Sequence, residues 1–118
     1  MAKSNVYFTK TLTSQAVVQL YQALGTALPG KVAVKLHSGE VGNQNFIRPP
    51  FLKPVIDLVN GTIVECNTAY EGKRDTTKAH WETMKFHGWT DIAPVDIMDE
   101  EGELELSMTA ERRSKKTT

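Results

Sequence analysis

Short runs of alternating apolar and polar residues recur along this chain, and each is typical of a β-strand. The clearest is Lys31 to His37, where Val32, Val34 and Leu36 alternate with polar or small residues. Runs at 5–9, 62–66 and 95–98 predict three more strands, and the alternating run 103–108 would add an edge strand.

Between these runs the apolar residues recur at helical spacing. A first helix is predicted after Thr13 or Ser14, a second from about Phe51, and a third after Thr76 or Thr77, where hydroxyl side chains can cap the free N–H groups. This order predicts an α/β fold: a three-layer, mostly parallel open sheet of four to five strands with helices on its faces.

The chain has 118 residues, a length that suits one hydrophobic core. We expect a flexible N-terminus at 1–4, a single α/β domain over 5–108, and a disordered tail at 109–118, which has no large apolar residue.

Fourteen basic and fourteen acidic residues balance, so no basic excess favours nucleic acid as a partner. No apolar run reaches the roughly 18 residues of a membrane helix, so no membrane partner is expected either. Cys66 is a single cysteine, which suits a reducing cytoplasm and excludes a cysteine-rich metal cage.

Polar loops follow the second and third predicted strands, where ligands of parallel sheets usually bind. The loop from His37 to Arg48 contains two glycines that allow close backbone approach and one arginine that could hold phosphate or carboxylate. It lacks the glycine spacing of the known nucleotide-binding loops, and Glu40 opposes an anion. A plain glycine-bearing connector fits this loop equally well.

The second loop, from Glu65 to Asp75, offers amide, hydroxyl, phenol and guanidinium groups, although an ordinary surface turn fits too. Candidate ligand contacts from the two strand ends and loops together are Lys35, Gly39, Gly42, Asn43, Arg48, Asn67, Thr68, Tyr70 and Arg74.

His37 is the best candidate for an acid–base group, because it ends a strand beside the first loop. Cys66 as a nucleophile and His37 with Glu65 or Glu40 as a metal site are weaker alternatives, so no metal is expected. His80 is predicted to be a packed, hydrogen-bonded histidine.

The combined motifs resemble the "domain of unknown function 362" family. The resemblance rests on 34–43 (VKLHSGEVGN), on Ile47-Arg48-Pro49 and Leu52-Lys53-Pro54-Val55, and further along on Asn67, Thr68, Tyr70, Gly72, Arg74, His80 and His87-Gly88. It covers roughly residues 5 to 99. The family's usual Asp-Gly after the fourth strand is Asp99-Glu100 here.

The resemblance implies an α/β fold in the cytoplasm. Longer members carry an iron–sulfur segment, which has no counterpart here, and one cysteine cannot supply a cluster's four ligands. The chain would match the N-terminal part of such a protein.

Two functions fit these residues, and neither specifies a reaction. One is a ligand-binding module for an anionic or phosphate-bearing small molecule. The other is a non-catalytic interaction module, a truncated relative that forms a homodimer through its uncovered sheet.

Overall fold

Three parallel strands form the sheet in the computed structural model, which describes residues 3–101 and 107. Strands β1 (Val32–Lys35), β2 (Gly61–Glu65) and β3 (Val95–Ile97) lie side by side in chain order. Val34 is opposite Ile63, and Ile63 is opposite Val95. Because all three strands are parallel, their carboxyl ends lie at one edge of the sheet.

The helices follow the predicted order. They are α1 (Ser14–Ala23), α2 (Pro49–Leu58) and α3 (Thr77–His87), and a 3-10 helix at Trp89–Asp91 follows α3. The Thr13 and Thr76 hydroxyls cap α1 and α3, accepting from the amides three residues on at 3.1 and 3.3 Å. Gly88 ends α3 with a left-handed φ of 88°.

Helix α2 begins at Pro49, so Pro54 lies inside it rather than in its first turn. Proline has no N–H, which leaves the carbonyl of Pro50 without its helical partner. The Ser14 hydroxyl donates to that carbonyl at 3.2 Å. The proline inside α2 is thus accommodated by a contact from α1, which packs on α2.

The core lies between the sheet and helices α2 and α3. It consists of Ile56, Ile63, Met84 and Trp89, each at most 1% exposed. Residues from α2, β2 and α3 therefore meet on the face of the sheet that carries Ile63. No helix among the described residues is long and apolar enough to cross a membrane.

The predicted strand at 5–9 is not formed. Val6 and Phe8 are 89% and 80% exposed, and 5–9 has no strand assignment. Strand-forming residues favour a pleated, half-buried surface, and no strand of the described sheet pairs with this segment. The predicted edge strand at 103–108 and the tail at 109–118 lie outside the described residues, apart from Ser107. The described sheet therefore has three strands where the pattern predicts four to five.

Candidate functional site

Two loops meet at the carboxyl ends of β1 and β2. The first loop, 36–48, follows Lys35, and the second, 66–76, follows Glu65. Arg74 of the second loop reaches back across both strand ends and is 3% exposed. Because these strands are adjacent and parallel, groups that follow them in sequence are brought together here.

Arg74 joins the two loops through Glu65, Glu40 and Tyr70, and it also contacts His37. Its Nη1 donates to Glu65 Oε1 at 2.7 Å, and its Nε donates to Glu40 Oε1 at 2.9 Å. Its Nη2 also contacts Glu40 and donates to the Tyr70 hydroxyl at 2.9 Å. The Tyr70 hydroxyl in turn donates to Glu40 at 3.1 Å. The guanidinium is thereby neutralised by two carboxylates.

Glu65 is the buried centre of this network, at 3% exposure. Its Oε1 accepts from the Ser38 amide at 3.2 Å, and its Oε2 lies 2.7 Å from His80 Nε2. Burial raises the pKa of the Glu65 carboxyl. Hydrogen bonding from Ser38 and His80 and the nearby charge of His80 lower it by more, so the net shift is downward from 4.5. The Ser38 hydroxyl itself is buried without a partner of good hydrogen-bonding geometry.

Glu40 is less buried, with 31% of its side chain exposed. The hydrogen bond from Arg74 is the main cause that lowers the pKa of the Glu40 carboxyl, against a smaller effect of burial. Both acidic groups of the network are therefore held as carboxylates.

His80 and His37 have opposite surroundings. The two ring nitrogens of His80 face oxygen acceptors, Glu65 Oε2 and, at 3.0 Å, Asn67 Oδ1, while Asn67 donates its amide to Thr77 at 3.0 Å. A doubly protonated ring suits that arrangement.

The two ring nitrogens of His37 instead face donors. The Gly39 amide lies 3.0 Å from Nδ1, and Arg74 Nη2 lies 3.0 Å from Nε2. A neutral imidazole has one in-plane lone pair, so it can accept from just one of these two donors. His37 is also exposed to solvent. It is thus an accessible ring with one contact that a ligand could improve.

Phe46 holds the first loop in shape. Its ring stacks on His87 at a centroid distance of 4.2 Å, and the Arg48 guanidinium lies 4.0 Å from its centroid. Gly39 has a φ of 92°, and a Cβ there would lie 2.5 Å from Phe46 Cγ. A glycine is therefore required at 39 both by the backbone and by the aromatic ring.

The Ser38 carbonyl fixes the base of the same loop. It accepts from His87 Nδ1 at 2.8 Å and from Trp89 Nε1 at 2.9 Å. Since Trp89 is a core residue, the loop is attached directly to the hydrophobic core.

Two open clefts lie on either side of His37. The first cleft, about 450 Å³, lies toward the first loop and α2, where its walls include Leu36, Phe46, Ile47 and Leu52. The second cleft, about 550 Å³, lies toward the second loop, where its walls include Asn67, Thr68, Tyr70 and Arg74. Both sizes are typical of small-molecule sites. Lys35, Leu36 and His37 line both clefts.

The predicted site residues are largely brought together. Gly39 and Asn43 line the first cleft, and the second-loop candidates line the second. Gly42 and Arg48 line neither cleft: Gly42 lies in a turn, and Arg48 lies over Phe46 and donates to the Gln44 carbonyl at 2.9 Å. The described residues include no cluster of three or more histidine, cysteine or acidic side chains suited to a metal ion.

Sequence reasoning missed the central role of Glu65 and its pairing with Arg74. A carboxylate at the end of a strand, followed nine residues later by an arginine, gives no recognisable motif, because the contact depends on the path of the second loop.

Comparison with known protein families, with curated proteins and with solved structures found no match for this chain.

Proposed function

We propose that this protein binds an anionic, for example phosphate-bearing, small molecule at the carboxyl ends of β1 and β2. One observation carries the proposal: Lys35 and the accessible His37 form the wall shared by two clefts of ligand size. A ligand in either cleft would contact both side chains.

The charges favour Lys35 as the contact for the anion. Arg74 is occupied by Glu40 and Glu65, and Arg48 is directed at Phe46. Lys35 is exposed and forms no ion pair with any described residue. Among the basic side chains that line the clefts, it is therefore the one free to meet a phosphate or carboxylate.

His37 is the proposed acid–base group of this site. A ligand oxygen near its Nε2 could accept a hydrogen bond from a protonated Nε2, while Nδ1 keeps the Gly39 amide as its donor. That change would remove the competition between two donors for one lone pair.

A binding assay with a matched pair of variants tests the proposal. Thermal-shift screening with phosphate, nucleotides, flavins and divalent metals identifies the class of ligand. Calorimetry then measures the affinity of the protein for that ligand. Lys35→Gln should weaken anion binding about tenfold or more, because one charge-assisted contact is lost. Lys31→Gln, at the amino end of the same strand and outside both clefts, should leave it unchanged. Equal effects of the two variants, or no shift with any anion, would reject the proposal.

A second candidate, a homodimeric interaction module, is favoured by the exposed apolar segment before α1. Val6, Phe8 and Leu12 are each at least 80% exposed, which is unusual for side chains of this size in a monomer. Sedimentation at tens of micromolar should then give the mass of two chains. A mass of one chain would count against it.

Kinship with the "domain of unknown function 362" family, a cytoplasmic setting and a larger three-layer sheet of four to five strands also stay proposals. The proposed kinship rests on the resemblance of the motif at 34–43 and of the residues further along the chain. An experimental structure of the whole chain would test the strand number.

A further inference from the structure

The two clefts differ in chemistry although they share a wall. The first has an apolar floor made of Leu36, Phe46, Ile47 and Leu52, with amide side chains at its rim. The second presents the amide of Asn67, the hydroxyls of Thr68 and Tyr70, and the charged network around Arg74. A ligand that suits one cleft is therefore poorly suited to the other.

Among the described residues, the polar cleft holds one usable positive charge. The two carboxylates of Glu40 and Glu65 more than offset the single charge of Arg74, so Lys35 is the cation without an ion pair at the boundary between the clefts. Two separate anions, one in each cleft, would compete for this single ammonium group. One molecule with its anionic group beside Lys35 avoids that competition.

Among the residues that the structure describes, the apolar cleft has no cation of its own beyond that shared wall. Arg48 is close in sequence, but its guanidinium lies over Phe46 and its Nη2 donates to a backbone carbonyl. Phe46 has His87 stacked against its ring as well. The floor therefore offers aliphatic and aromatic carbon to a hydrocarbon group rather than an open face for stacking a nucleobase.

From these two contrasts we infer that the ligand is one amphipathic anion that spans His37. Its charged, hydrogen-bonding end lies in the second cleft beside Lys35, Asn67 and Thr68, and its apolar end lies in the first cleft against Ile47 and Leu52. The class is a phosphate monoester or carboxylic acid with a hydrocarbon body, and this inference rests on the proposed anion site.

A series of n-alkyl phosphates, from methyl to hexyl, tests the inference by calorimetry. Affinity should increase about fourfold for each added methylene group until the first cleft is filled. A parallel series of n-alkyl carboxylates distinguishes the two head groups, and either series with such a slope supports the inference.

Two variants assign the slope to the first cleft. Ile47→Ser should reduce the gain in affinity per methylene, because it removes apolar surface from the first cleft at a residue that is 53% exposed, where the change leaves the fold intact. Leu58→Ser, at a residue of similar exposure outside both clefts, should keep the full slope. In NMR titrations with an alkyl phosphate, the chemical-shift changes of the Asn67 amide and of the Ile47 methyl groups should follow the same saturation curve.

The outcomes separate this inference from the proposed function. Lys35-dependent binding that does not change with chain length would overturn the amphipathic ligand and keep the anion site. If the gain in affinity per methylene group is the same in the Ile47→Ser and Leu58→Ser variants, the assignment to the first cleft is overturned. No binding of any member of either series would overturn the amphipathic ligand, and the anion site falls with it only if phosphate and nucleotides also give no shift.

Discussion

Arg74 and Glu65 form a buried ion pair, with Nη1 and Oε1 2.7 Å apart and both side chains 4% exposed. Glu65 ends β2, and Arg74 lies near the end of the loop that follows it. The pair closes that loop onto the sheet. The same guanidinium also contacts Glu40 of the first loop, so one side chain orders both walls of the candidate site.

Replacement of Arg74 by methionine should lower the free energy of unfolding by about 3–5 kcal/mol, because the buried carboxylate of Glu65 would lose its charge partner. Urea denaturation measures the loss. Lys73→Met is the matched control, since Lys73 is an exposed neighbour in the same loop, and it should change stability by less than about 0.5 kcal/mol. Similar losses in the two variants would contradict the central role of Arg74.

Stability should fall in acid because of the same network. Burial raises the pKa of the Glu65 carboxyl, but hydrogen bonds and the charge of His80 outweigh burial and lower that pKa from 4.5. The hydrogen bond from Arg74 lowers the pKa of the Glu40 carboxyl. A carboxyl whose pKa is lower in the folded state adds stability above its unfolded pKa, and that stability is lost as the pH falls through the folded pKa. The loss should therefore start below about pH 4.5.

The acid dependence can be assigned by substitution. Glu65→Gln should be less stable at neutral pH and should show a flatter slope of unfolding free energy below pH 4.5, because one linked proton no longer binds on unfolding. Glu71→Gln, at an exposed residue of the second loop, should retain the full slope. An unchanged slope in Glu65→Gln would show that other carboxyls cause the acid loss.

Gly39 and Gly42 form a natural matched pair, because their φ angles are 92° and 91° but their surroundings differ. Alanine at 42 has open space, so it should cost only the strain of the left-handed backbone, about 1–2 kcal/mol. Alanine at 39 would also displace Phe46 and should cost clearly more. Thermal denaturation of both variants compares them, and equal losses would show that the Phe46 contact is not tight.

The sequence was sufficient for the elements that depend on local chemistry. Thr13 and Thr76 were recognisable among the candidate helix caps, and the alternation around Val34 as a strand. Each of these features arises from hydrogen bonding or burial within a few residues. They were sufficient to predict an α/β order and to place both loops at one edge of the sheet.

Other features depended on contacts between distant residues. The run at 5–9 has strand-forming residues, yet no described residue pairs with it as a strand, which no local pattern can reveal. Arg48 and Arg74 look alike in sequence as anion contacts. In the structure, two carboxylates occupy Arg74, whereas Arg48 lies over Phe46 and lines neither cleft.

The contact between Glu40 and Arg74 should control how firmly the first loop is attached to the second. Glu40→Gln removes the negative charge that lies beside Arg74 and weakens the link through Tyr70. Because almost a third of the Glu40 side chain is exposed, solvent screens the interaction, and the loss of global stability should be small, about 1 kcal/mol. Hydrogen exchange in the first loop should become faster while β2 keeps its protection. Equal exchange in the Glu40→Gln and Glu71→Gln variants would mean that the Ser38 carbonyl, held by His87 and Trp89, is enough to order the loop.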